Sequence, residues 1–170
     1  MLKEMKKNRG FTLIELMIVI AIISIISVAV LTVLNPADQI AKANDARRKS
    51  DLLQIQKSLE QYYEDNGRYP GSSNNEIEGT NNSDIGWGTP WVPYMNLLPQ
   101  DPSSPGKNYV YAVDNSGQYY YLYASLDRGA KDSQACNNGD ACSKLGSLGL
   151  GDTACGDICN YGVTSPNTSP

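Results

Sequence analysis

The hydrophobic pattern divides the chain into unequal parts. Residues 11–34, FTLIELMIVIAIISIISVAVLTVL, form a run of 24 residues whose only charge is Glu15. As a helix rising about 1.5 Å per residue, the run would extend roughly 36 Å, more than the ~30 Å hydrocarbon core of a bilayer. Asn35-Pro36 interrupts it, and in residues 37–66 the pattern changes. Leu52, Ile55, Leu59 and Tyr62 recur at helical spacing, while Asp51, Lys57, Glu60 and Glu64 lie elsewhere on the circumference. This predicts a long N-terminal helix over residues 11–66, apolar in its first half (11–34), amphipathic in its second (37–66), and kinked by Pro36 rather than ended by it. Gly67 and Tyr69-Pro70 stop it.

The apolar stripe of the second half needs a cover, and the remaining chain supplies strands for one. Residues 67–108 read as a loop region, with residues 71–93 rich in Gly, Ser, Asn and Thr around Trp87 and Trp91. Residues 109–113 and 119–126 alternate as two strands about a turn at 114–117, a β-hairpin. Alternation places Tyr109, Tyr111 and Val113 on one face, and Tyr119, Tyr121 and Tyr123 together on one face of the partner strand. Such tyrosine stripes are expected to pack on the helix, with a carbohydrate- or partner-binding surface as the minority reading. The fold class is α+β: a hydrophobic-then-amphipathic helix on a small antiparallel sheet formed by residues 109–170.

Composition narrows the function. Histidine is absent, which excludes Ser-His-Asp and Cys-His catalysis and His-ligated metal. Scattered carboxylates such as Asp101 and Asp127 remain, and no spacing pairs them, so an enzyme is not expected. The chain has 14 basic and 18 acidic residues, a net charge of −4. Residues 1–10 hold four bases against Glu4, a net +3, which leaves −7 for the rest. An acidic body offers no footprint for nucleic acid. The cluster Arg47-Arg48-Lys49, beside Asp45 and Asp51, is expected to solvate a helix face.

Basic residues before the apolar run predict an inward N-terminus, with everything after Leu34 on the outer side of the cytoplasmic membrane. A cleavable secretory signal, with Ser27-Val28-Ala29 as its site, is disfavoured by the length of the run and by Glu15. A lipoprotein is disfavoured because the first cysteine is Cys136. A plain anchor accounts for the length but leaves Glu15 as a cost of about 2.5–3.5 kcal/mol when charged and central.

The string Arg9-Gly10-Phe11-Thr12-Leu13-Ile14-Glu15 resembles the processing site of type IV pilins and their pseudopilin relatives. The resemblance implies that a prepilin peptidase removes residues 1–10 as a leader by cutting between Gly10 and Phe11. It also implies that the new amine on Phe11 is methylated and that the apolar segment stays in the product. Glycine suits the position, since a side chain would obstruct an extended backbone in a protease cleft. Glu15 matches the family glutamate, and in a packed core of helices it could neutralise the terminal amine of a neighbouring subunit, penalising every stagger that leaves one charge alone. Its bland alternative is a side chain snorkelling to the headgroups.

The section over residues 97–126, with Leu98-Pro99-Gln100-Asp101-Pro102 before the tyrosine strands, is similar to the major pseudopilin of type II secretion systems. That resemblance implies a calcium-binding loop after the last strands, and Asp127 and Asp132 fall in a comparable place. Calcium takes six to eight oxygens, and no Asp-x-Asn-x-Asp-Gly loop is present to supply them.

Cys136, Cys142, Cys155 and Cys159 lie in the last 35 residues, separated by five, twelve and three residues. The five-residue arm is off-pattern for structural zinc, and no Cys-x-x-Cys is present for a catalytic dithiol. In an oxidising compartment two disulfides are expected. Three connectivities are open; Cys136–Cys142 with Cys155–Cys159 is favoured because each closes a local loop, though crossed pairing would staple the tail more firmly. Residues 164–170 are expected to fray.

The reading is a pilin-like structural subunit, in a surface pilus or a type II secretion pseudopilus. Its implied partners are copies of itself and other pilin-like subunits, the prepilin peptidase, an inner-membrane assembly platform with its motor ATPase, and membrane lipid before assembly. Its place is the inner membrane, single-pass with the body outside, and then the periplasm or cell surface. The alternative from another class is a membrane-tethered extracytoplasmic binding module that does not polymerise.

Overall fold

The computed structural model describes residues 10–79, 83–166 and 168–170, and for residues 29 and 31–34 the backbone alone. The expected leader therefore lies outside the described residues except for Gly10. The chain divides into two units, residues 1–40 and 41–170.

Helix α1 spans Leu13–Leu34 and is entered through a reciprocal capping box. The Thr12 hydroxyl accepts from the Glu15 amide at 3.3 Å, and the Glu15 carboxylate accepts from the Thr12 amide at 2.8 Å. Two orphan amides of the first turn are thereby satisfied. Asn35, in the left-handed conformation (φ 38°), closes α1. Pro36 then opens α2, Pro36–Asn66, at the first helical position, where its missing N–H costs nothing. The expectation of one kinked helix gives way to two helices divided by that left-handed residue.

Helix α2 buries Leu52, Ile55 and Leu59, as the periodicity predicts, and extends the same stripe backwards through Arg48 and Asp45. Covering it is an antiparallel sheet of β4 (Val110–Val113), β5 (Tyr120–Ala124) and β6 (Tyr161–Thr164), with β5 central. Register pairs Val110 with Tyr123 and Val113 with Tyr120, and on the other side Tyr121 with Thr164 and Ala124 with Tyr161. The hairpin turn is closed by Asp114, whose carboxylate accepts from the amides of Ser116, Gln118 and Tyr119, and by Gly117 at φ 69°.

Both faces of this sheet are covered. Tyr109, Tyr111, Tyr120, Leu122 and Ala124 pack with Leu52, Ile55 and Leu59 of α2. Val110, Tyr121 and Tyr123 pack with Cys142, Leu145, Cys155 and Cys159. The Tyr121 and Tyr123 stripe thus lies under the cysteine-bearing segment, not on the helix, and Tyr123 is fully buried. A carbohydrate-binding tyrosine surface has no room there.

Residues 71–93, expected as irregular loop, contain a second small sheet in the order β1 (Ser72–Ser73), β2 (Glu76–Glu78), β3 (Asp84–Ile85). Asn74 and Asn75 both take positive φ, 50° and 65°, which gives β1 and β2 the two-residue hairpin turn that asparagine tolerates. Ile77 and Trp91 carry this region into the main core. Of the segment 164–170, expected to fray, the described residues are partly tied down: Thr164 ends a strand, Ser165 is buried, and the Thr164 hydroxyl donates to the Thr168 carbonyl at 3.0 Å.

Candidate functional site

Two features carry chemistry. The first is α1. Its described large apolar side chains are exposed, among them Leu13 at 76%, Ile25 at 74% and Val28 at 64%, as is Phe11 just before it at 83%. An apolar surface of this kind needs lipid or other helices around it. Among the described residues no helix is long and apolar enough to cross a membrane. The continuously described apolar stretch, residues 13–28, would extend about 24 Å as a helix. Gly10 and Phe11 precede the first turn and are exposed, with open space around Gly10. Glu15 is exposed and engaged with Thr12, whose hydroxyl donates to its carboxylate at 2.7 Å.

The second feature is a buried guanidinium. Arg48 is fully buried. Its Nε and Nη2 donate to the two carboxylate oxygens of Asp101 at 2.8 and 3.1 Å. Nη1 donates to Asp45 at 2.9 Å and to Asp127 at 2.8 Å, and Nη2 also reaches the Ser103 hydroxyl at 2.9 Å. Asp45 in turn accepts from the backbone amides of Asp127 and Arg128, at 2.8 and 2.9 Å. One helix position therefore fixes both the Pro-Gln-Asp-Pro turn and the chain leaving β5. Burial disfavours the charged guanidinium, but the hydrogen bonds from Arg48 to Asp101 and Asp127 outweigh it, and its pKa moves further above its already high ordinary value. The expectation that Arg48 solvates a helix face is thus corrected; Asp101 and Asp127 meet through its guanidinium.

The sites expected for calcium are filled by cations of the chain itself. Burial works against ionised Asp127, yet hydrogen bonds from Arg48 and from Lys107, the latter at 2.7 Å, hold its carboxyl below the ordinary range. Asp132 is likewise slightly desolvated but held low by Lys49 at 2.5 Å and by the Gln134 amide. The two aspartates serve separate partners. Among the described residues no group of three or more acidic, cysteine or histidine side chains is gathered to hold a metal ion. A dication at Asp127 would have to displace two cations already in place, and the donor set does not fit it.

The four cysteines form two disulfides, Cys136–Cys142 and Cys155–Cys159, with Cα separations of 5.0 and 5.4 Å. Both close short loops whose backbones return to the sheet. The Cys136 amide donates to the Asn160 carbonyl at 2.8 Å, and the Asn108 amide donates to the Cys155 carbonyl at 3.0 Å.

An apolar helix entered through Gly-Phe-Thr-Leu-Ile-Glu, followed by an amphipathic helix on a small antiparallel sheet, defines a pilin-like subunit. Residues 5–31 match the family model of the prokaryotic N-terminal methylation motif, and residues 35–142 match that of protein G of the type II secretion system. The chain belongs to the type II secretion system protein G family, the pseudopilins, and it is a structural subunit.

Relatives named type II secretion system core protein G resemble it along most of its length. The protein of Pseudomonas aeruginosa (strain PAO1) is 32% identical over 142 residues, 81% of this chain and 95% of that one. That of Escherichia coli (strain K12) is 33% identical over 132 residues, 71% and 83% of the two chains. That of Klebsiella pneumoniae is 34% identical over 101 residues, 58% and 71%. No solved structure matches the chain.

Proposed function

We propose that this chain is cut between Gly10 and Phe11 by a prepilin peptidase, methylated on Phe11, and polymerised through its N-terminal helix into a pseudopilus of a type II secretion system. The observation that carries this reading is the exposure of the large apolar side chains described along α1, in a protein whose globular unit builds a buried apolar core of its own. Before assembly, residues 11–34 lie in the inner membrane with the body in the periplasm; afterwards neighbouring helices replace the lipid. The work is mechanical. The chain carries no catalytic step, and the energy for extraction comes from a motor ATPase acting through an inner-membrane platform.

Glu15 serves twice in this scheme. In the isolated chain its carboxylate completes the helix cap with Thr12. In the filament it also meets the methylated amine of a neighbouring subunit, and because each charge is costly alone in an apolar core, the pair selects the stagger.

The test is the intact mass and N-terminal sequence of protein from cells that contain a prepilin peptidase, taken from membrane and sheared-filament fractions. Methylated Phe11 at the N-terminus in both fractions is expected. A chain still beginning at Met1, or cut near Ala29, would refute the proposal and leave the tethered binding module. Glu15→Ala should be processed normally and yield few filaments; a wild-type yield would remove the register role.

A further inference from the structure

Where the last turns of α2 meet the chain entering β5 and the segment just past β6, a pocket of about 240 Å³ opens beside Glu60. Glu60 and Tyr63 line it from α2, Tyr69 from the segment that follows, Tyr119 from the chain entering β5, and Ser165 from the residue after β6. Hydrogen bonds of the fold hold these walls together. The Tyr69 amide donates to the Gly117 carbonyl at 2.8 Å, the Tyr63 hydroxyl to the Gln118 side chain at 2.8 Å, and the Ser165 amide to the Tyr120 carbonyl at 3.3 Å. The pocket is therefore formed before any ligand enters it.

Among the described residues that line it, Glu60 alone carries charge, and it is half-buried. Its Oε2 accepts from the Tyr69 hydroxyl at 2.9 Å and its Oε1 from the Tyr120 hydroxyl at 3.3 Å. Burial, and then the carboxylate itself, push both phenols above their ordinary pKa, so neither supplies counter-charge. The buried carboxylates of the unit are treated differently: Asp45 and Asp101 are paired with Arg48, and Asp51 lies 3.7 Å from Arg47. No base among the described residues forms an ion pair with Glu60. The bases nearest in sequence, Lys57 and Arg68, are exposed, as are Glu64 and Asp65. Ser165 adds a second unmet group. It is 3% exposed, and its hydroxyl has no hydrogen-bond partner among the described residues. A buried hydroxyl in that state costs free energy until something meets it.

We propose that this pocket binds a primary ammonium group. The ammonium donates to the Glu60 carboxylate, each of whose oxygens has accepted one hydrogen bond and can accept another, and to the Ser165 hydroxyl. The rings of Tyr63 and Tyr119, the latter 40% exposed, supply the aromatic surface that a cation favours. A neutral sugar would satisfy the hydroxyl and leave the charge of Glu60 uncompensated. The volume falls below the roughly 300–1,000 Å³ of sites for drug-sized ligands, which limits the occupant to a small amine or a single lysine side chain. These two sources share one chemistry and differ in what surrounds the amine. Such binding needs no filament, only the folded unit.

The experiment titrates full-length protein in detergent micelles and follows the backbone amide NMR shifts of Tyr63, Tyr69, Tyr119 and Ser165. The probes are n-butylammonium chloride and the blocked tripeptide acetyl-Gly-Lys-Gly-amide. Saturable shifts centred on the pocket, with a Kd of about 1 mM, are expected. n-Butanol, and the same peptide with its lysine acetylated, have similar size without the charge and should shift nothing. A peptide that binds at least about tenfold more tightly than the free amine assigns the site to a lysine of a polypeptide; equal or weaker binding assigns it to a small amine. Glu60→Gln should weaken binding by at least about tenfold. Ser165→Ala removes a hydroxyl that has no partner, so it should melt no lower than wild type and still bind about threefold more weakly or worse. Wild-type amide shifts at Leu52 and Leu122 show that each variant is folded. The absence of saturable shifts with both probes overturns the proposal, as does undiminished affinity in either variant. Equal binding of the uncharged controls also overturns it, and would make the pocket a site for neutral polar groups.

Discussion

The carboxylate of Asp101 receives both Nε and Nη2 of Arg48, at 2.8 and 3.1 Å, with the two side chains fully withdrawn from water. This planar, two-pronged contact joins the middle of the chain to α2 across 53 residues. Its geometry belongs to arginine. Lysine offers a single point charge and cannot meet Asp101, Asp45 and Asp127 together.

Arg48→Ala should accordingly destabilise the globular unit by about 3–5 kcal/mol, because it strands the buried carboxylate of Asp101 and unpins Asp45 and Asp127. Arg48→Lys should recover only part of that loss. Denaturant melts of the full-length protein in detergent, followed by tyrosine and tryptophan fluorescence, measure both. Equal stability of Arg48→Lys and wild type would show that charge, not geometry, holds the cluster.

This cluster also marks where the sequence was hardest to interpret. The apolar stripe of α2 was legible from Leu52, Ile55 and Leu59, and the hairpin from alternating residues about Asp114 and Gly117. Arg48 was hidden because a run of three bases beside two aspartates has the composition of a solvated surface. Position was the available clue: Asp45 and Arg48 continue the 52, 55, 59 stripe backwards by helical steps. The β1–β2 turn was signalled by Asn74-Asn75, but the strands it joins are two and three residues long, too short for alternation to register. Strand β6 was obscured for another reason. Its pairing with β5 is a long-range choice made across the cysteine-bearing segment, which local pattern does not encode. Of the site residues, the motif at Gly10, Phe11 and Glu15 is local and could be read, whereas the partners of Asp127 and Asp132 come from α2 and from Lys107.

A single hydrogen bond governs a second buried carboxylate. Tyr109 donates its hydroxyl to Asp51 at 2.8 Å. Burial raises the Asp51 pKa, while Tyr109 and, more weakly, Arg47 restrain the rise. Tyr109→Phe removes the donor without opening a cavity. It should raise the Asp51 pKa further and cost about 1–3 kcal/mol near neutral pH, the penalty of an unsatisfied buried acceptor. An NMR titration of the Asp51 carboxyl together with a denaturant melt tests both effects; an unchanged titration would mean water replaces the hydroxyl.

Acid should undo the cluster in a definite direction. Asp127 and Asp132 have pKa values below their unfolded ones, so the stability they contribute is present above the unfolded carboxyl range near 4 and is lost as pH falls through the folded values. Asp51 acts oppositely: its raised pKa makes protonation easier in the folded state, which offsets part of the loss. Melting temperature should therefore hold from neutrality to about pH 5 and drop below pH 4. In Asp127→Asn that drop should be shallower, from a lower plateau. A variant with the wild-type slope would assign acid sensitivity to other groups.

Divalent cations should leave the fold untouched. Lys107 and Arg48 occupy Asp127 and Lys49 occupies Asp132, so calcium would have to expel cations tied into the sheet and α2. The melting temperature of the full-length protein is expected to be the same, within error, in excess chelator and in millimolar calcium. A calcium-dependent rise would require the loop to rearrange and would restore the site that the resemblance implies.

The two disulfides should contribute unequally although their loops are similarly short, six and four residues in sequence separation. Chain entropy alone assigns each about 2 kcal/mol. Packing separates them. Cys155 and Cys159 are both fully buried beneath Tyr121 and Tyr123, and the Cys159 amide also anchors this loop on the Asp152 carbonyl at 2.8 Å. Of the other pair only Cys142 is buried in that cluster, and Cys136 is half-buried. Replacing Cys155 and Cys159 by serine places hydroxyls in an apolar pocket and adds a desolvation cost to the lost cross-link. The Cys136→Ser, Cys142→Ser pair should therefore lower stability by about 2 kcal/mol, and the Cys155→Ser, Cys159→Ser pair by clearly more. Replacement of Cys155 and Cys159 by alanine should recover part of the difference, since it restores an apolar lining. Denaturant melts of the three double variants decide the point. Equal losses for both serine pairs would show that the links act through the unfolded chain alone and that the packing of the second pair under the tyrosines adds nothing.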